Sequence, residues 1–439
     1  MPVRSPKLGR LMWFAALVTL ILSGCSADAP LDTLDPKGPA AQSIDELWDV
    51  VFAIAVVVFV LVQAGIIFLM VKFRDRDGDP DDLPEQVHGN FALEIGWTIL
   101  PAIVLAVVAV LSVGTLFDLE KRDENALPVR VIGQQWWWEY QYDVNGDGEY
   151  TVDDPASGDF RTSGEMVIPA GRQMDLQIES YDVIHSFWIP PLNGKRDAVP
   201  GRVHTLSLEA DEPGEYYGSC TEFCGLSHSR MRMRVRAVTD SEFDTWMANQ
   251  SAGADMPEGV EAYTEMQDEL VELQSAETPD ADAITALETE LVDTGLGDAV
   301  AGRDLFVANC SSCHEVRGDW GNGDAYGGFA AQVSGNAPDL THLMSRSTFA
   351  GSLYDLYLRE DDVLDAPYVG LSPETATLNE IQLERWIANA PGEKAMAPVA
   401  ITAEDSRTGE AIPGRGMPSF ESLTRTQIDQ LVAYLATLD

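Results

Sequence analysis

Residues 220–231 read CTEFCGLSHSRM, a stretch that places two cysteines, a histidine and a methionine within twelve positions. Soft sulfur ligands favour reduced copper, imidazole suits both oxidation states, and a thioether makes a weak axial ligand. A cysteine pair can instead form a disulfide outside the cytoplasm, or hold structural zinc together with a histidine. Zinc rarely recruits methionine, and a disulfide needs neither His228 nor Met231, so the pattern favours copper. Two cysteines four positions apart can bridge two metal ions.

A further ligand is expected from elsewhere in the chain, because each copper of a binuclear centre needs a terminal imidazole. His185 fits this role, since it lies in the apolar run DVIHSFWIP (182–190), where an unpaired histidine is costly to bury. A histidine in such a run is more often a hydrogen-bonded core residue. The ligand cluster downstream makes metal ligation the favoured interpretation.

The composition limits the partners of the chain. Its 439 residues suffice for two or three domains, and its formal charge is −43. This charge excludes nucleic acid as a partner, because the phosphates would be repelled. It suits a basic redox partner or a salt-adapted surface, and both interpretations remain open. No structural disulfide is predicted, because each of the five cysteines has another candidate role: Cys25, Cys220, Cys224, Cys310 and Cys313.

Residues 1–24 have the layout of a lipoprotein signal peptide. Three basic residues precede an apolar run (11–22), and residues 22–25 read LSGC, the pattern of a bacterial lipoprotein cleavage box. Cys25 is therefore the predicted lipidated first residue of the mature chain. An uncleaved anchor is the alternative, although so short a run spans a bilayer poorly. Residues 25–43 are the predicted N-terminal linker.

Residues 44–119 predict a transmembrane helical hairpin. Two apolar runs, at about 47–71 and 95–117, each reach the roughly 20 residues that a membrane-spanning helix requires. Lys72, Arg74 and Arg76 directly follow the first run, and basic residues mark its cytoplasmic end. Everything after residue 119 is therefore expected on the outer side of the membrane.

Residues 120–247 predict an antiparallel β-sandwich, because short alternating and aromatic runs are separated by turns about every eight to twelve positions. The run QWWWEYQY (135–142) heads this region, and alternate rings on a strand point to opposite faces.

A calcium loop is one interpretation of the next turn, which has Gly148 at the sixth position and oxygen ligands at positions one, three, five and twelve: Asp143, Asn145, Asp147 and Asp154. Aspartate replaces the usual final glutamate, and no helices flank the loop. The alternative is an acidic hairpin.

Residues 248–297 predict an acidic, partly helical linker. The segment 248–298 carries no lysine or arginine, and two helical patterns lie at 260–273 and 281–292. Such a segment can serve as a tether or as a docking surface for another subunit.

The run CSSCH at 310–314 has the spacing of covalent c-type heme attachment. Cys310 and Cys313 would form the two thioethers, and His314 would supply one axial nitrogen. A thioredoxin-like redox pair is the alternative, and the histidine directly after the second cysteine argues against it.

With these motifs, residues 44–247 resemble subunit II of the heme-copper cytochrome c oxidases, whose copper domain is cupredoxin-like. The run KRDAVPGR (195–202) adds to the likeness. The resemblance implies a role in proton uptake for Glu94, input of electrons at a surface ring for Trp136, and a magnesium or manganese ion shared with subunit I for the Glu222 side chain. It implies a binuclear copper centre, called CuA, with these ligands: His185, Cys220, the main-chain carbonyl of Glu222, Cys224, His228 and Met231.

Residues 298–439 resemble an all-α class I cytochrome c. The resemblance implies that a first helix with Gly302 and Phe306 crosses a last helix with Tyr434, and that the Pro338 carbonyl accepts a hydrogen bond from His314. It implies Met417 as the sixth heme ligand. Met396 is the rival, because residues 400–414 look inserted.

The expected protein is a multidomain, membrane-anchored subunit II of a bacterial terminal oxidase with a fused cytochrome c. It would pass electrons from heme c through copper to subunit I, where oxygen is reduced to water and protons are translocated. The expected partners are subunits I and III and a cytochrome bc-type complex or cytochrome c donor, in the bacterial inner membrane with both redox domains periplasmic. The alternatives are a CuA-containing subunit of a nitric oxide reductase and a non-enzymatic copper-binding lipoprotein.

Overall fold

The computed structural model describes residues 29–74, 89–152, 157–318, 320–321, 337–358, 377–396 and 416–439. The predicted signal peptide and Cys25 lie outside the described residues, as does Asp154. Two long helices come first, α1 (Pro39–Lys72) and α2 (Phe91–Leu119), and both are apolar and long enough to cross a membrane. The Asn90 side chain caps α2 by accepting from the Leu93 amide at 3.2 Å.

Residues 127–251 form the sandwich domain, and helix α3 (Asp240–Ser251) closes it. Its ten strands are β1 (Leu127–Gln134), β2 (Trp137–Tyr142), β3 (Phe160–Ser163), β4 (Glu165–Pro169), β5 (Met174–Ser180), β6 (His185–Phe187), β7 (Arg196–Ala198), β8 (His204–Leu208), β9 (Gly214–Ser219) and β10 (Arg232–Val238).

The sandwich has one sheet of order β3-β2-β1-β5-β8 and a second of order β4-β10-β9, and β6 pairs with β7. Two pairings are parallel: in β1–β5 Val131 lies opposite Ile178, and in β4–β10 Met166 lies opposite Val235. The sheets are therefore mixed, whereas the sequence pattern predicted antiparallel pairing. The physical reason is that alternation shows which face of a strand is buried but carries no information about the direction of its neighbour.

The sandwich core lies between the two sheets and is rich in aromatic rings. Trp138 packs edge-on against Phe187 at 5.4 Å between ring centroids, and Tyr142 stacks on Phe160 at 4.9 Å. The Tyr142 hydroxyl donates to the Val167 carbonyl at 2.8 Å and accepts from the Val167 amide at 3.0 Å. This bond joins the two sheets and satisfies a fully buried phenol.

Two acidic helices follow the sandwich, α4 (Val260–Ser275) and α5 (Ala281–Asp293). The Asp280 side chain caps α5 by accepting from the amides of Asp282 and Ala283. The helices pack against each other as a hairpin.

Residues 297–439 form the C-terminal domain, with helices α6 (Gly297–Asn309), α7 (Glu380–Glu393) and α8 (Arg425–Leu435). Its described residues also include the two-residue strands β11 (Thr348–Phe349), β12 (Tyr354–Asp355), β13 (Tyr357–Leu358) and β14 (Thr377–Leu378). Helices α6 and α8 cross at Gly302, where an added Cβ would lie 1.9 Å from the Gln430 carbonyl oxygen. Beside this crossing the Phe306 ring lies 5.3 Å from the Tyr434 ring, as the cytochrome c resemblance implied.

Candidate metal centre and heme attachment site

The ligand loop (residues 220–231) connects β9 to β10, and its ends are tied by a hydrogen bond from the Cys220 amide to the Met231 carbonyl at 3.0 Å. A 3₁₀ turn (His228–Arg230) returns the chain toward β10. His185 begins β6, and the Thr221 amide donates to the Ser186 carbonyl at 3.1 Å. The fold thus brings His185 to the loop across 35 positions of sequence.

The donor atoms of the loop converge on one point. The Sγ atoms of Cys220 and Cys224 are 3.8 Å apart, and ligand atoms of these cysteines and of His185 all lie within 4.8 Å of one another. His185 Nδ1 lies 3.9 Å from Cys220 Sγ, and His228 Nδ1 lies 3.6 Å from Cys224 Sγ. Met231 Sδ lies 3.7 Å from Cys224 Sγ. One imidazole therefore flanks each sulfur.

A main-chain oxygen completes the set, because the Cys220 thiol lies 3.3 Å from the Glu222 carbonyl oxygen. The six donors that the resemblance implied are therefore in one cluster. Two thiolates between two imidazoles, with a thioether beside one sulfur and a carbonyl beside the other, form a donor set that fits two copper ions.

The orientation of His185 is set by Asp182, a residue that the sequence analysis missed. Asp182 Oδ1 lies 2.8 Å from His185 Nε2, which directs Nδ1 toward Cys220. Burial opposes a charged ring, but the Asp182 carboxylate and Cys220 together raise the pKa of His185 above its usual value. Such an outer carboxylate fixes the tautomer of a ligating histidine and increases its basicity. An aspartate three residues before a predicted histidine ligand was the available signal.

The two thiols do not ionise alike. The contact with Cys224 lowers the pKa of Cys220 against the opposing effect of burial, and it raises the pKa of Cys224. The Cys220 thiolate therefore forms easily, whereas the Cys224 thiolate does not. A bound cation would favour the deprotonated form of both cysteines, because metal ligation stabilises the thiolate.

Trp136 lies beside the cluster. Its Nε1 donates to the Cys224 carbonyl at 3.0 Å, and Gln135 Nε2 donates to the same oxygen at 2.7 Å. The resemblance implied a surface ring, but Trp136 is only 3% exposed. Residues of the C-terminal domain reach this site: Lys394 donates to the Trp136 carbonyl at 2.7 Å.

The heme attachment motif follows α6. Hydrogen bonds from the amides of Cys313 and His314 to the Cys310 carbonyl, at 3.0 and 2.9 Å, wind it into a turn. His314 Nδ1 lies 2.8 Å from the Pro338 carbonyl oxygen, which is the contact that the resemblance implied. Burial lowers the pKa of His314, which favours the neutral ring, and the contact at Nδ1 leaves Nε2 as the ring nitrogen that could ligate a metal.

The two candidate methionines lie side by side. The Met417 amide is 3.2 Å from Met396 Sδ. Met396 also packs against the sandwich core. The structure therefore brings both candidate ligands together.

Comparison with known proteins places this geometry in a family. Residues 127–238 match the periplasmic domain of cytochrome c oxidase subunit II, residues 30–114 match its transmembrane domain, and residues 299–439 match cytochrome c. "Probable cytochrome c oxidase subunit 2" of Rickettsia bellii is 32% identical over 54% of this chain and 91% of its own length. The chain belongs to the cytochrome c oxidase subunit 2 family.

Two further comparisons describe how far this relationship extends. Cytochrome c oxidase subunit 2 of Alkalihalophilus pseudofirmus is 29% identical over 96% of this chain and 95% of its own length. A crystal structure of the periplasmic domain of subunit II from Bradyrhizobium japonicum shares 31% identity, covers 30% of this chain and 96% of that one, and has a TM-score of 0.26. The matched segments and the full-length relative show that the chain combines the membrane anchor and periplasmic domain of a cytochrome c oxidase subunit 2 with a fused cytochrome c domain.

The remaining predicted residues lie apart from the copper cluster. Glu94 is exposed in the first turn of α2. In the predicted calcium loop, Asp143 accepts from the amides of Gly146 and Gly148 at 2.7 and 2.8 Å, and Asn145 accepts from the Asp147 amide at 2.9 Å. Calcium binding at this loop stays a prediction.

Proposed function

We propose that this chain is the electron-input subunit of a proton-translocating terminal oxidase. The C-terminal domain would receive electrons, the sandwich domain would take them over, and subunit I would accept them for the reduction of oxygen to water. The convergence of five side-chain donors, two sulfurs 3.8 Å apart with an imidazole beside each and a thioether, carries this proposal.

The sandwich domain would hold two copper ions. When bound, they would provide a centre that accepts one electron and then donates it. Asp182 holds His185 in the tautomer that presents Nδ1 to the cluster. Gln135 and Trp136 fix the Cys224 carbonyl and with it the ligand loop. The proposed copper ligands are His185, Cys220, the Glu222 carbonyl, Cys224, His228 and Met231.

The C-terminal domain would hold heme c through thioethers at Cys310 and Cys313, with His314 and Met417 as axial ligands. The Pro338 carbonyl orients the His314 ring. Met396 is positioned to accept a hydrogen bond from the Met417 amide. Met417→Leu should abolish the absorption band of a sulfur-ligated ferric heme, and Met396→Leu should keep it. The reverse result would make Met396 the ligand.

The contact with subunit I would be made by the outer side of the ligand loop. Glu222 is exposed there between the ligating cysteines, and the neighbouring Phe223 and Leu226 are large exposed apolar residues. Apolar side chains at an exposed loop suit burial against a partner. The Glu222 side chain would share a magnesium or manganese ion with subunit I, and Glu94 would stand at the mouth of a proton-uptake path. The chain would lie in the bacterial inner membrane with both redox domains periplasmic, and Cys25 would carry the lipid.

The proposal is tested on the full chain, purified in detergent after copper loading and heme maturation. A seven-line hyperfine pattern in low-temperature electron paramagnetic resonance, from one unpaired electron shared by two copper ions, is expected. Cys224→Ser should abolish it, whereas Cys313→Ser should keep it. A four-line pattern in the wild-type chain would show a mononuclear site and would overturn the proposal.

A further inference from the structure

The end of α7 runs onto the ligand loop. The Arg230 guanidinium donates to the Glu393 carbonyl, and the Ser227 hydroxyl donates to the Ala395 carbonyl at 2.5 Å. Both donors lie between the predicted ligands Cys224 and Met231. The C-terminal domain therefore touches the part of the loop that carries the proposed copper ligands.

Lys394 is a buried charged residue of this contact. It is 2% exposed, and its Nζ donates to the Trp136 carbonyl at 2.7 Å and to the Ala350 carbonyl at 2.9 Å. One acceptor belongs to the sandwich domain and the other to the C-terminal domain. A buried lysine is costly unless its hydrogen bonds are made, and the bond to the Trp136 carbonyl is made only when the domains are together.

A second contact area joins the same domains. The Ser347 amide donates to Glu165 Oε2 at 3.0 Å, and the Ser352 hydroxyl donates to the Gly164 carbonyl at 2.5 Å. Arg234 of the sandwich domain donates to Asp355 at 2.9 Å. Glu165 is buried, and its charge is compensated by Arg236 of its own domain together with Ser347 across the interface.

The chain between the domains is itself fixed at its start. The Ala254 amide donates to the Arg317 carbonyl at 2.8 Å, and Arg317 Nη2 donates to the Gln250 carbonyl at 2.8 Å. A Cβ added to Gly253 would lie 2.4 Å from the Cα atom of Gly318. The C-terminal domain thus begins to dock immediately after α3, and the hairpin of α4 and α5 follows this junction in the chain.

We propose that residues 393–396 are a built-in bracket that fixes the C-terminal domain on the ligand loop, with Lys394 as its positioning residue. One electron would then pass from reduced heme to oxidised copper at a fixed separation. The C-terminal domain would not first have to diffuse on its linker to reach the ligand loop. This inference rests on the proposed function, because it assigns a docking geometry to the two redox domains.

Hydrogen exchange of the Ser347 amide reports docking directly, because its acceptor lies across the interface. In the assembled oxidase, Lys394→Met should accelerate exchange of the peptide that contains Ser347 by about tenfold or more, since each lost bond to a charged group changes an equilibrium constant by roughly that factor. Ser352→Ala, which removes a different contact, should accelerate it as well. Arg425→Met, at a side chain 84% exposed on the same domain, should leave exchange unchanged.

A second readout separates positioning from general stabilisation. Photoinduced electron transfer from heme to copper should be independent of solvent viscosity in the wild-type oxidase and should slow with viscosity in Lys394→Met. Unchanged exchange in both Lys394→Met and Ser352→Ala, or a viscosity-dependent rate in the wild type, would overturn the bracket. Copper hyperfine and heme absorption spectra of the same samples test the proposed function separately, because neither depends on docking.

Discussion

Asp182→Asn should weaken copper binding although Asp182 is not a ligand. The carboxylate accepts with both oxygens: Oδ1 from His185 Nε2 at 2.8 Å and from the Val183 amide at 2.7 Å, and Oδ2 from the Gln135 amide at 2.7 Å. An asparagine offers one acceptor oxygen, so one of these donors loses its partner. An unsatisfied buried donor costs about 1–3 kcal/mol, and loss of a comparable outer partner typically lowers metal affinity about 10–100-fold.

The assay is copper competition against a chelator, followed by paramagnetic resonance of the loaded full chain. If His185 turns, its copper hyperfine coupling should change together with the affinity. Asp147→Asn is the matched control, because it makes the same chemical change in an exposed turn where Asp147 contacts the Glu149 amide. Wild-type affinity with an unchanged spectrum in Asp182→Asn would refute the reasoning.

Three further predictions concern stability. Gly302→Ala should lower the unfolding temperature of the C-terminal domain, because its Cβ would meet the Gln430 carbonyl at 1.9 Å and overpacking costs about 1–3 kcal/mol or more. Tyr142→Phe should destabilise the sandwich domain by about 1–3 kcal/mol, because both Val167 backbone groups lose a buried partner. Burial opposes ionisation of Glu165, but Arg236 and Ser347 hold its pKa below the usual 4.5, so its contribution is complete above pH 4.5 and is lost as the pH falls below that value.

Calorimetry and denaturant titrations check these three predictions, each with a control. Ala308→Val, at an exposed position of α6, should leave the unfolding temperature nearly unchanged, and Tyr217→Phe should cost less than Tyr142→Phe because its hydroxyl is half-buried. Glu165→Gln should differ from the wild type at neutral pH and approach it in acid. Equal stability of Gly302→Ala and Ala308→Val, or of Tyr142→Phe and Tyr217→Phe, would contradict the packing and hydrogen-bond arguments. A stability difference between Glu165→Gln and the wild type that persists in acid would contradict the argument from the Glu165 pKa.

The copper cluster could be predicted from the sequence because most of its donors are local. Cys220, Cys224, His228 and Met231 lie within one loop, and the chemistry of sulfur and imidazole already selects the metal. His185 could be predicted as a ligand because an apolar strand gives a histidine no other obvious partner. The heme attachment motif was equally local, since Cys310, Cys313 and His314 are adjacent.

Contacts between residues far apart in the chain could not be predicted from the sequence. Lys394 meets the Trp136 carbonyl across 258 positions, and nothing in the residues that surround it resembles a motif. Trp136 is buried rather than exposed because its ring belongs to the sandwich core and donates to the Cys224 carbonyl of the ligand loop, a contact 88 positions away in sequence. The parallel pairing of β1 with β5 escaped prediction because the side-chain pattern of a strand does not encode the direction of its neighbour.

The central claim is that the C-terminal domain passes electrons to the copper cluster of the sandwich domain. It is tested most directly by injecting one electron into heme c of the full oxidised chain with a light-activated donor and following the heme and copper absorption together. We predict that the reduced-heme signal decays as the copper signal bleaches with the same time constant, and that Cys224→Ser leaves the heme reduced. A reduced heme that persists in the copper-loaded wild-type chain, or a decay unaffected by Cys224→Ser, would contradict the claim.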